Sequence, residues 1–377
     1  MKICFVAPRL HTNQLTLVDS LTNNGHSVVF LSLGPGPEYL ETDPNCEVDV
    51  LPREKISPLL VFFLKLRQKI QGMPVRQNLL VQTNYKTLTK RLADHNPDIV
   101  IIRDVKIPLS LQAFRATRKL DLPTSLYTQH PLEDKESKIT WLLQALRIVP
   151  KHRITPIRKQ KTNTYNKKTN TYYVPLTTTT NFDISHKQHF ANNRLNLIFV
   201  GKYTLQRKNH LLAVQAVHKL STKKPVHLTM IGGHAADNTR IYDEICNYIA
   251  RHKLEKTVTL KHSIPHKTMS KEYANADAFI FPSVDEPLSI STLEAMAHGT
   301  IPIVTSSNGS QYFIENGING FVLKENTADA IVKTLEKFYD RETLKCISEA
   351  TYKTFQDEYS VSLQYGYFIK AISDKII

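Results

Sequence analysis

Asp285–Thr305 reads DEPLSISTLEAMAHGTIPIVT, and the order of residue types in it decides the fold. The preceding ADAFIFP ends in an apolar strand. Asp285–Leu288 then forms a loop, and the spacing predicts a helix starting near Ser289 and running through Ala295, Met296 and Ala297. A glycine, a proline and an apolar strand follow. Open α/β sheets bind ligands at such junctions, outside the carboxyl ends of their strands. Two carboxylates frame this one: Glu286 just before the turn and Glu294 about two turns into the helix. The first amides of a helix have no internal partner and can hold an anionic oxygen. The two acids could then grip hydroxyls on either side of a phosphate, and sugar nucleotides have that shape. The plainer alternative is a helix-terminal charge at Glu286 and a solvated helix residue at Glu294.

Outward from this segment, strand and helix patterns alternate, which argues for parallel sheets built from βαβ units. KICFVAP is the first strand. Leu15, Val18 and Leu21 line one face of the next helix, and Gly25 closes it. SVVFLSL, DIVIIR and SLYTQ complete one doubly wound unit, with a helix over Leu59–Ile70. A second alternation starts near Leu195 with LNLIFV, VHLTMI, TVTL, AFIF and PIVT. The polar stretch TTTTNFDISHKQHFANN separates the two. The expected domains are 1–178 and 179–359, and a C-terminal helix at about 360–377 is a candidate to pack back on the first. Arg158–Asn170 reads as an exposed loop. Glu133-Asp134 and Asp243-Glu244 read as solvated residues on helices, and no DxD pair occupies a plausible metal site.

With 377 residues the chain has room for two or three domains. Its apolar content of 41% excludes a disordered chain. No apolar run reaches the roughly 18 residues needed to span a bilayer. MKICFVAPRL reads as a strand because a signal peptide needs a longer apolar region and a cleavage site; a cytoplasmic protein is expected. Cys4, Cys46, Cys246 and Cys346 are scattered and read as reduced thiols. The net charge of +15 suits nucleic acid, an anionic membrane or an anionic ligand. That charge is uneven: Ser137–Phe182 has no acid but contains Lys138, Arg147, Lys151, Arg153, Arg158, Lys159, Lys161, Lys167 and Lys168. A solvated basic face is the simple reading.

FVGKYTLQRKNHL, Phe199–Leu211, is a second motif. The strand ends at Gly201, and Lys202 and Lys208 flank the loop that follows. Two ammonium groups at a strand's carboxyl end suit a diphosphate. Alternatively they are surface lysines near a helix start, where they are slightly unfavourable. His130, in SLYTQHP, follows a strand of the first domain and would face a cleft, or it is an ordinary loop histidine. His11 and Asn13, in APRLHTNQ, could hydrogen-bond at the cleft or cap the first helix. Gly232 closes its strand at the same edge.

These stretches, with SSNGSQYFIENGINGFVL, resemble the family 4 glycosyltransferases, or glycosyl transferases group 1. The resemblance is clear over Leu195–Phe321 and loose in the first domain. It implies a GT-B fold, two Rossmann-like domains facing each other across a cleft, and a retaining transfer from a nucleotide sugar. It further implies that Lys202 and Lys208 bind the donor diphosphate and Glu286 the hexose hydroxyls. Glu294 would bind the ribose, and the backbone of Leu288, Ser289 and Ile290 the phosphates or sugar. Base contacts would come from backbone near Gly232–His234 and Ser263-Ile264. His130 matches a family histidine that approaches the donor sugar, so His130 and Glu286 are the expected catalytic residues. There are departures. Lys202 stands where Arg is commoner, Ser289 where Gly is common, and the glycine-rich turn after the first strand is missing.

The expectation is therefore a hexosyltransferase using a UDP- or GDP-linked donor, without metal or other cofactor. Its acceptor would be a glycan or lipid-linked species in cell-envelope, capsule or lipopolysaccharide synthesis. Two basic apolar stretches, Pro58–Lys69 and Ile139–Arg158, fit peripheral docking on an anionic leaflet at the inner face of the cell membrane. A core helix is the competing reading for the first of them. Three alternatives stand beside this: a GT-B sugar-nucleotide epimerase, a transferase that binds without turnover, and a basic nucleic-acid-binding protein. No recognition helix or RNA-binding motif supports the last, and no nucleic-acid partner is expected.

Overall fold

Runs of β-branched and aromatic residues build both sheets. In β1 (Lys2–Ala7), Ile3, Phe5 and Ala7 enter one core while Cys4 and Val6 enter another. A strand of period two buried on both faces must have helices above and below it. The structure, a computed structural model, describes residues 1–10, 12–34, 46–55, 81–103, 107–135, 138–233, 239–262 and 264–376. His11, His234, Ser263, Pro58–Lys69 and the expected helix over Leu59–Ile70 lie outside the described residues.

The chain divides into two units, Met1–Leu176 with Val361–Ile377, and Thr177–Ser360. In the first, β1 is followed by α1 (Thr12–Asn23), β2 (Ser27–Ser32), β3 (Cys46–Val50) and the small pair β4 (Glu54–Lys55) and β5 (Val81–Gln82). Next come α2 (Tyr85–His95), β6 (Ile99–Arg103), α3 (Pro108–Lys119), β7 (Thr124–Tyr127), α4 (Lys138–Ala145), β8 (Arg153–Thr155), β9 (Tyr165–Asn166) and β10 (Thr171–Tyr173). The sheet runs β3-β2-β1-β6-β7-β8-β10-β9, parallel except for its last pair. The C-terminal helix, Val361–Ile376, returns to this unit and buries Phe368, Ala371 and Ile372 beside Val18 and Leu21 of α1.

Two expectations fail here. Arg158–Asn170 is not simply an exposed loop, because Tyr165–Asn166 pairs antiparallel with β10 and Arg158 lies 4.2 Å from the Tyr173 ring centroid. Glu133 is not on a helix. It sits in a turn, and its carboxylate accepts from the Lys159 and Gln160 amides and from Asn163 Nδ2 at 2.8–3.1 Å. Those three donors hold its pKa below the usual range although burial pushes the other way.

The second unit contains β11 (Leu195–Val200), α5 (His210–Ser221), β12 (Val226–Gly232), α6 (Arg240–Arg251), β13 (Val258–His262) and α7 (Met269–Ala274). It continues with β14 (Ala278–Phe281), α8 (Ile290–Met296), β15 (Ile301–Thr305), β16 (Phe321–Leu323), α9 (Ala328–Glu336) and α10 (Arg341–Tyr359). Its six parallel strands run β13-β12-β11-β14-β15-β16. That is the doubly wound order 3-2-1-4-5-6, in which the chain reverses direction between the first and fourth strands. The reversal falls between β11 and β14, where Leu197 faces Ala278 and Ile198 faces Phe279. Loops leaving these two strands diverge to opposite sides, and the crevice between them is where such sheets hold ligands.

Candidate functional site

Three loops meet at that crevice. One leaves β11 as Gly201–Asn209, one leaves β14 as Pro282–Ser289, and one leaves β15 as Ser306–Gly309. The first two are stitched by Val284 N to Arg207 O at 2.9 Å and Asn209 Nδ2 to Pro282 O at 2.8 Å. Asn209 and Asp285 both have positive φ, 55° and 50°, a conformation that after glycine Asn and Asp tolerate best. The third loop closes on the second through Gly309 N to Glu286 O at 2.8 Å. A Cβ on Gly309 would lie 1.8 Å from the Pro287 carbonyl oxygen, so this approach requires glycine. Gly232 is fixed in the same way: its Cβ would lie 2.2 Å from the Gly201 carbonyl oxygen.

These loops set Glu286 between two cations. Its Oε2 accepts from Arg207 Nη1 and Lys208 Nζ, with Ser283 Oγ at 3.4 Å. Glu286 is buried, and the Lys208 ammonium lies 4.4 Å from the Phe281 ring centroid. Burial pulls the Lys208 pKa below its ordinary value, while Glu286 pushes it up. Lys202 is exposed on the same loop. At the end of the same loop the His210 ring packs at a tilt against Phe199 and Tyr203, with Nε2 3.3 Å from the Gly201 oxygen. Burial lowers its pKa to about 4, so the ring is neutral at pH 7.

Glu294 occupies a different setting. It is buried on α8, and its Oε2 accepts from Tyr273 OH at 2.7 Å while Oε1 lies 3.2 Å from His266 Nε2. Burial, and then the Glu294 carboxylate, raise the Tyr273 pKa well above its ordinary value, keeping the phenol a donor. Behind this pair sits Lys187. Its Nζ donates to Tyr273 O, Ala276 O, His298 O and Thr300 Oγ1 at 2.6–3.3 Å. These oxygens lie at and just beyond the carboxyl ends of α7 and α8, where the Thr300 hydroxyl also donates to Tyr273 O and Ala276 O, so one ammonium ties together the two helices that carry Tyr273 and Glu294. Burial lowers the Lys187 pKa to about 7, with Asp277 opposing.

Of the residues singled out in the sequence, Lys202, Lys208, Glu286, Leu288, Ser289, Ile290, Glu294, Gly201 and Gly232 all belong to the second unit. Glu294 is not a solvated helix residue, since its carboxylate is enclosed by Tyr273 and His266. The helix that follows Ser289 has only seven residues, and part of its terminus is already engaged. Ser289 N donates to Ser310 Oγ, and Thr292 N to Ser289 Oγ. His130 lies in the first unit, exposed after β7, with its carbonyl accepting from Thr155 Oγ1 at 2.6 Å. Asn13 lies in α1. Arg207, Tyr273, His266 and Lys187 escaped the sequence reading. Arg207 carried one signal, its position beside Lys208. Among the described residues no cluster of three His, Cys, Asp or Glu is placed to hold a metal ion.

Residues 181–354 match the family described as glycosyl transferases group 1. This segment belongs to that family. The group 1 segment contains the whole arrangement around Glu286 and Glu294. Among curated proteins, an uncharacterized glycosyltransferase of Methanocaldococcus jannaschii is 31% identical over 136 residues, 36% of this chain and 33% of that protein. An alpha-maltose-1-phosphate synthase of Mycobacterium tuberculosis is 30% identical over 37% of this chain and 35% of that protein. The chain thus spans about a third of the length of these relatives. Among solved structures, a glycosyltransferase from Rickettsia africae superposes with a TM-score of 0.77 at 16% identity, covering 100% of this chain and 98% of its own. HepE of Anabaena, solved with UDP and glucose, gives 0.70 at 14% identity, covering 99% and 100%. At these identities the likeness establishes the GT-B fold, two Rossmann-like units with parallel sheets.

Proposed function

We propose that the chain is a retaining glycosyltransferase. It moves a hexose-type sugar from a UDP- or GDP-linked donor to a glycan or lipid-linked acceptor. The observation that carries this reading is the buried Glu286 held between Arg207 and Lys208 at the strand-order reversal of a group 1 segment. The relatives are named glycosyltransferase and alpha-maltose-1-phosphate synthase, and HepE was solved with UDP and glucose; these support the donor class.

Breaking an anomeric C–O bond builds negative charge on the departing diphosphate. Donors already in place stabilise that charge without reorganising, which is commonly the largest protein contribution. Arg207, Lys208 and Glu286 together carry one net positive charge, and Lys202 adds a second. Glu286 holds the two inner cations in position before the donor arrives and orients the hexose hydroxyls, while Glu294 takes the ribose. With no side chain assigned as a covalent nucleophile, the acceptor attacks from the face the leaving group departs, and the diphosphate takes its proton. The setting we propose is cell-envelope, capsule or lipopolysaccharide synthesis at the inner face of the membrane.

A thermal-shift panel of UDP-, GDP-, ADP- and dTDP-sugars tests the donor assignment. A ligand binding only the folded chain at a hundredfold excess over Kd stabilises it by about 2.7 kcal/mol. One nucleotide should raise Tm by several degrees above the others. A flat panel, with stabilisation by oligonucleotides instead, would overturn the proposal.

A further inference from the structure

We propose that the first unit docks on an anionic lipid bilayer through the surface formed by α4 and the adjoining amino ends of β7, β8 and β10. This goes beyond the transferase reading and does not depend on it.

Apolar exposure marks the surface. Trp141, Leu142, Leu146 and Ile148 are 63%, 51%, 57% and 41% exposed, all within eight residues of chain. Trp141, Leu142 and Leu146 form one stripe of the helix and its end, while Gln144 is buried behind them. Isolated exposed apolar residues need no explanation, but a contiguous set on one helix marks an interaction surface.

Charge identifies the partner. Beside the stripe lies a cavity of about 720 Å³, with Arg118, Arg147, Lys151, Asn170 and Tyr172 in its wall. Among the described residues Asp121 is the one acid there. Arg118, Arg147 and Lys151 are exposed, and Arg118 Nη1 donates to Arg147 O at 3.3 Å, which ties α3 to the loop after α4. His152, also in the wall, is buried with its ring nitrogens 2.9 Å from Ser125 Oγ and Ala371 O. The cavity opens where Thr124, His152 and Asn170 begin or precede parallel strands, so it lies at the amino edge of the sheet. Rossmann-type sheets bind substrates at the opposite edge.

A protein interface has a core depleted of charge, with polar groups at its rim. Here cations alternate with apolar tips along one short segment, and Ser137–Phe182 contains no acid to repel a negative surface. That composition suits a helix lying in the headgroup layer, with its apolar side chains in the acyl boundary and its cations among lipid phosphates. Tryptophan is enriched at that depth.

Trp141 is the chain's one tryptophan beside 16 tyrosines, so fluorescence excited selectively at tryptophan, beyond the tyrosine absorption, reports on this surface alone. At low salt, vesicles of mixed phosphatidylcholine and phosphatidylglycerol should blue-shift its emission and carry the chain to the pellet. Pure phosphatidylcholine vesicles should do neither. The Leu142→Ser/Leu146→Ser variant keeps Trp141 and should lose the shift. Replacing Arg118, Arg147 and Lys151 with Gln should weaken vesicle affinity about fivefold per residue, about a hundredfold together. Unchanged circular-dichroism melts show that these exposed substitutions leave the fold intact. Three results would each overturn the proposal: no shift with either vesicle, equal binding to both, or variants that bind like the wild type. So would a shift that depends on protein concentration without lipid, which would mean a second copy covers the patch. Because donor-induced stabilisation is measured without lipid, failure here leaves the donor and transfer assignment standing and removes only the membrane setting proposed with it.

Discussion

Glu286 and Glu294 are the same side chain on the same βα junction, and both are buried, yet their surroundings are opposite in kind. Glu286 sits among charges, with Arg207 and Lys208 on one carboxylate oxygen. Glu294 sits between a phenol and an imidazole, with its helix tied from behind by Lys187. A carboxylate between two cations sets the position and net charge of those cations. A carboxylate held by two side-chain donors is a fixed acceptor whose remaining lone pairs point where the helix points them. The first arrangement suits charge that develops during a reaction, and the second suits hydroxyls that are present from start to finish. On our reading the Glu286 corner therefore acts on turnover and the Glu294 corner on donor affinity.

Glu286→Gln is the sharpest way to break that division. Gln preserves the shape of the side chain but removes the charge that holds Arg207 and Lys208. Losing one preorganised electrostatic element typically costs about 10²–10³ in kcat, and that loss is expected here. Donor affinity should hold or tighten, because the loop gains a net positive charge. Steady-state kinetics with the nucleotide sugar found by thermal shift would measure both. A kcat within twofold of wild type removes Glu286 from the reaction.

Lys187→Met tests the support behind Glu294. Four oxygens lose the ammonium, but Tyr273 O and Ala276 O keep the Thr300 hydroxyl as a donor, so the loss falls mainly on His298 O, and a buried acceptor left unsatisfied costs about 1–3 kcal/mol. The weakened bonds at the other oxygens add to this and relief from burying a charge offsets part of it, leaving an expected loss of about 2 kcal/mol at neutral pH. The pH dependence is more specific. Burial lowers the Lys187 pKa from 10.5 to about 7 in the folded chain. Between those values the unfolded chain binds a proton that the folded chain does not, so wild-type stability gains from this residue as pH rises through that window. The Met variant lacks that gain, and urea denaturation at pH 7 and pH 9.5 should show its deficit growing. A constant deficit means that Lys187 keeps its proton throughout.

Lys187 also shows where sequence reading stops. The alternating strands were legible because LNLIFV, AFIF and IPIVT are rich in apolar and β-branched residues, and all but Asn196 and Val200 are buried. The paired glutamates stood out because seven intervening residues fit one turn followed by one short helix. Partners were not legible. Arg207 and Lys208 are adjacent cations in a polar loop, and only the left-handed turn at Asn209 and the Val284–Arg207 backbone bond bring both to Glu286. Lys187 lies in a polar stretch read as a boundary, yet its ammonium meets carbonyls from residues about 90 and 110 positions away. Arg153 was read into a solvated basic face but is buried. Composition averages over a segment, whereas burial is decided by contacts distant in sequence. The two-residue strand at Tyr165–Asn166 failed for a related reason: it is too short to show a period.

Tyr273→Phe carries the smallest expected effect and separates the two corners most cleanly. The ring keeps its packing, 6.4 Å edge-on from Phe279 and 5.8 Å stacked on His298. Only the hydroxyl that holds Glu294 Oε2 is lost. A hydrogen bond to a charged group contributes about 1.5–3 kcal/mol, and His266 on the other oxygen retains part of the orientation. The donor KM should rise about tenfold, equivalent to about 1.4 kcal/mol, while kcat stays within twofold. That pattern is loss of an interaction made equally in the ground and transition states. If kcat falls and KM holds, Glu294 contributes to the reacting charge as Glu286 does, and two differently built corners would be performing one task.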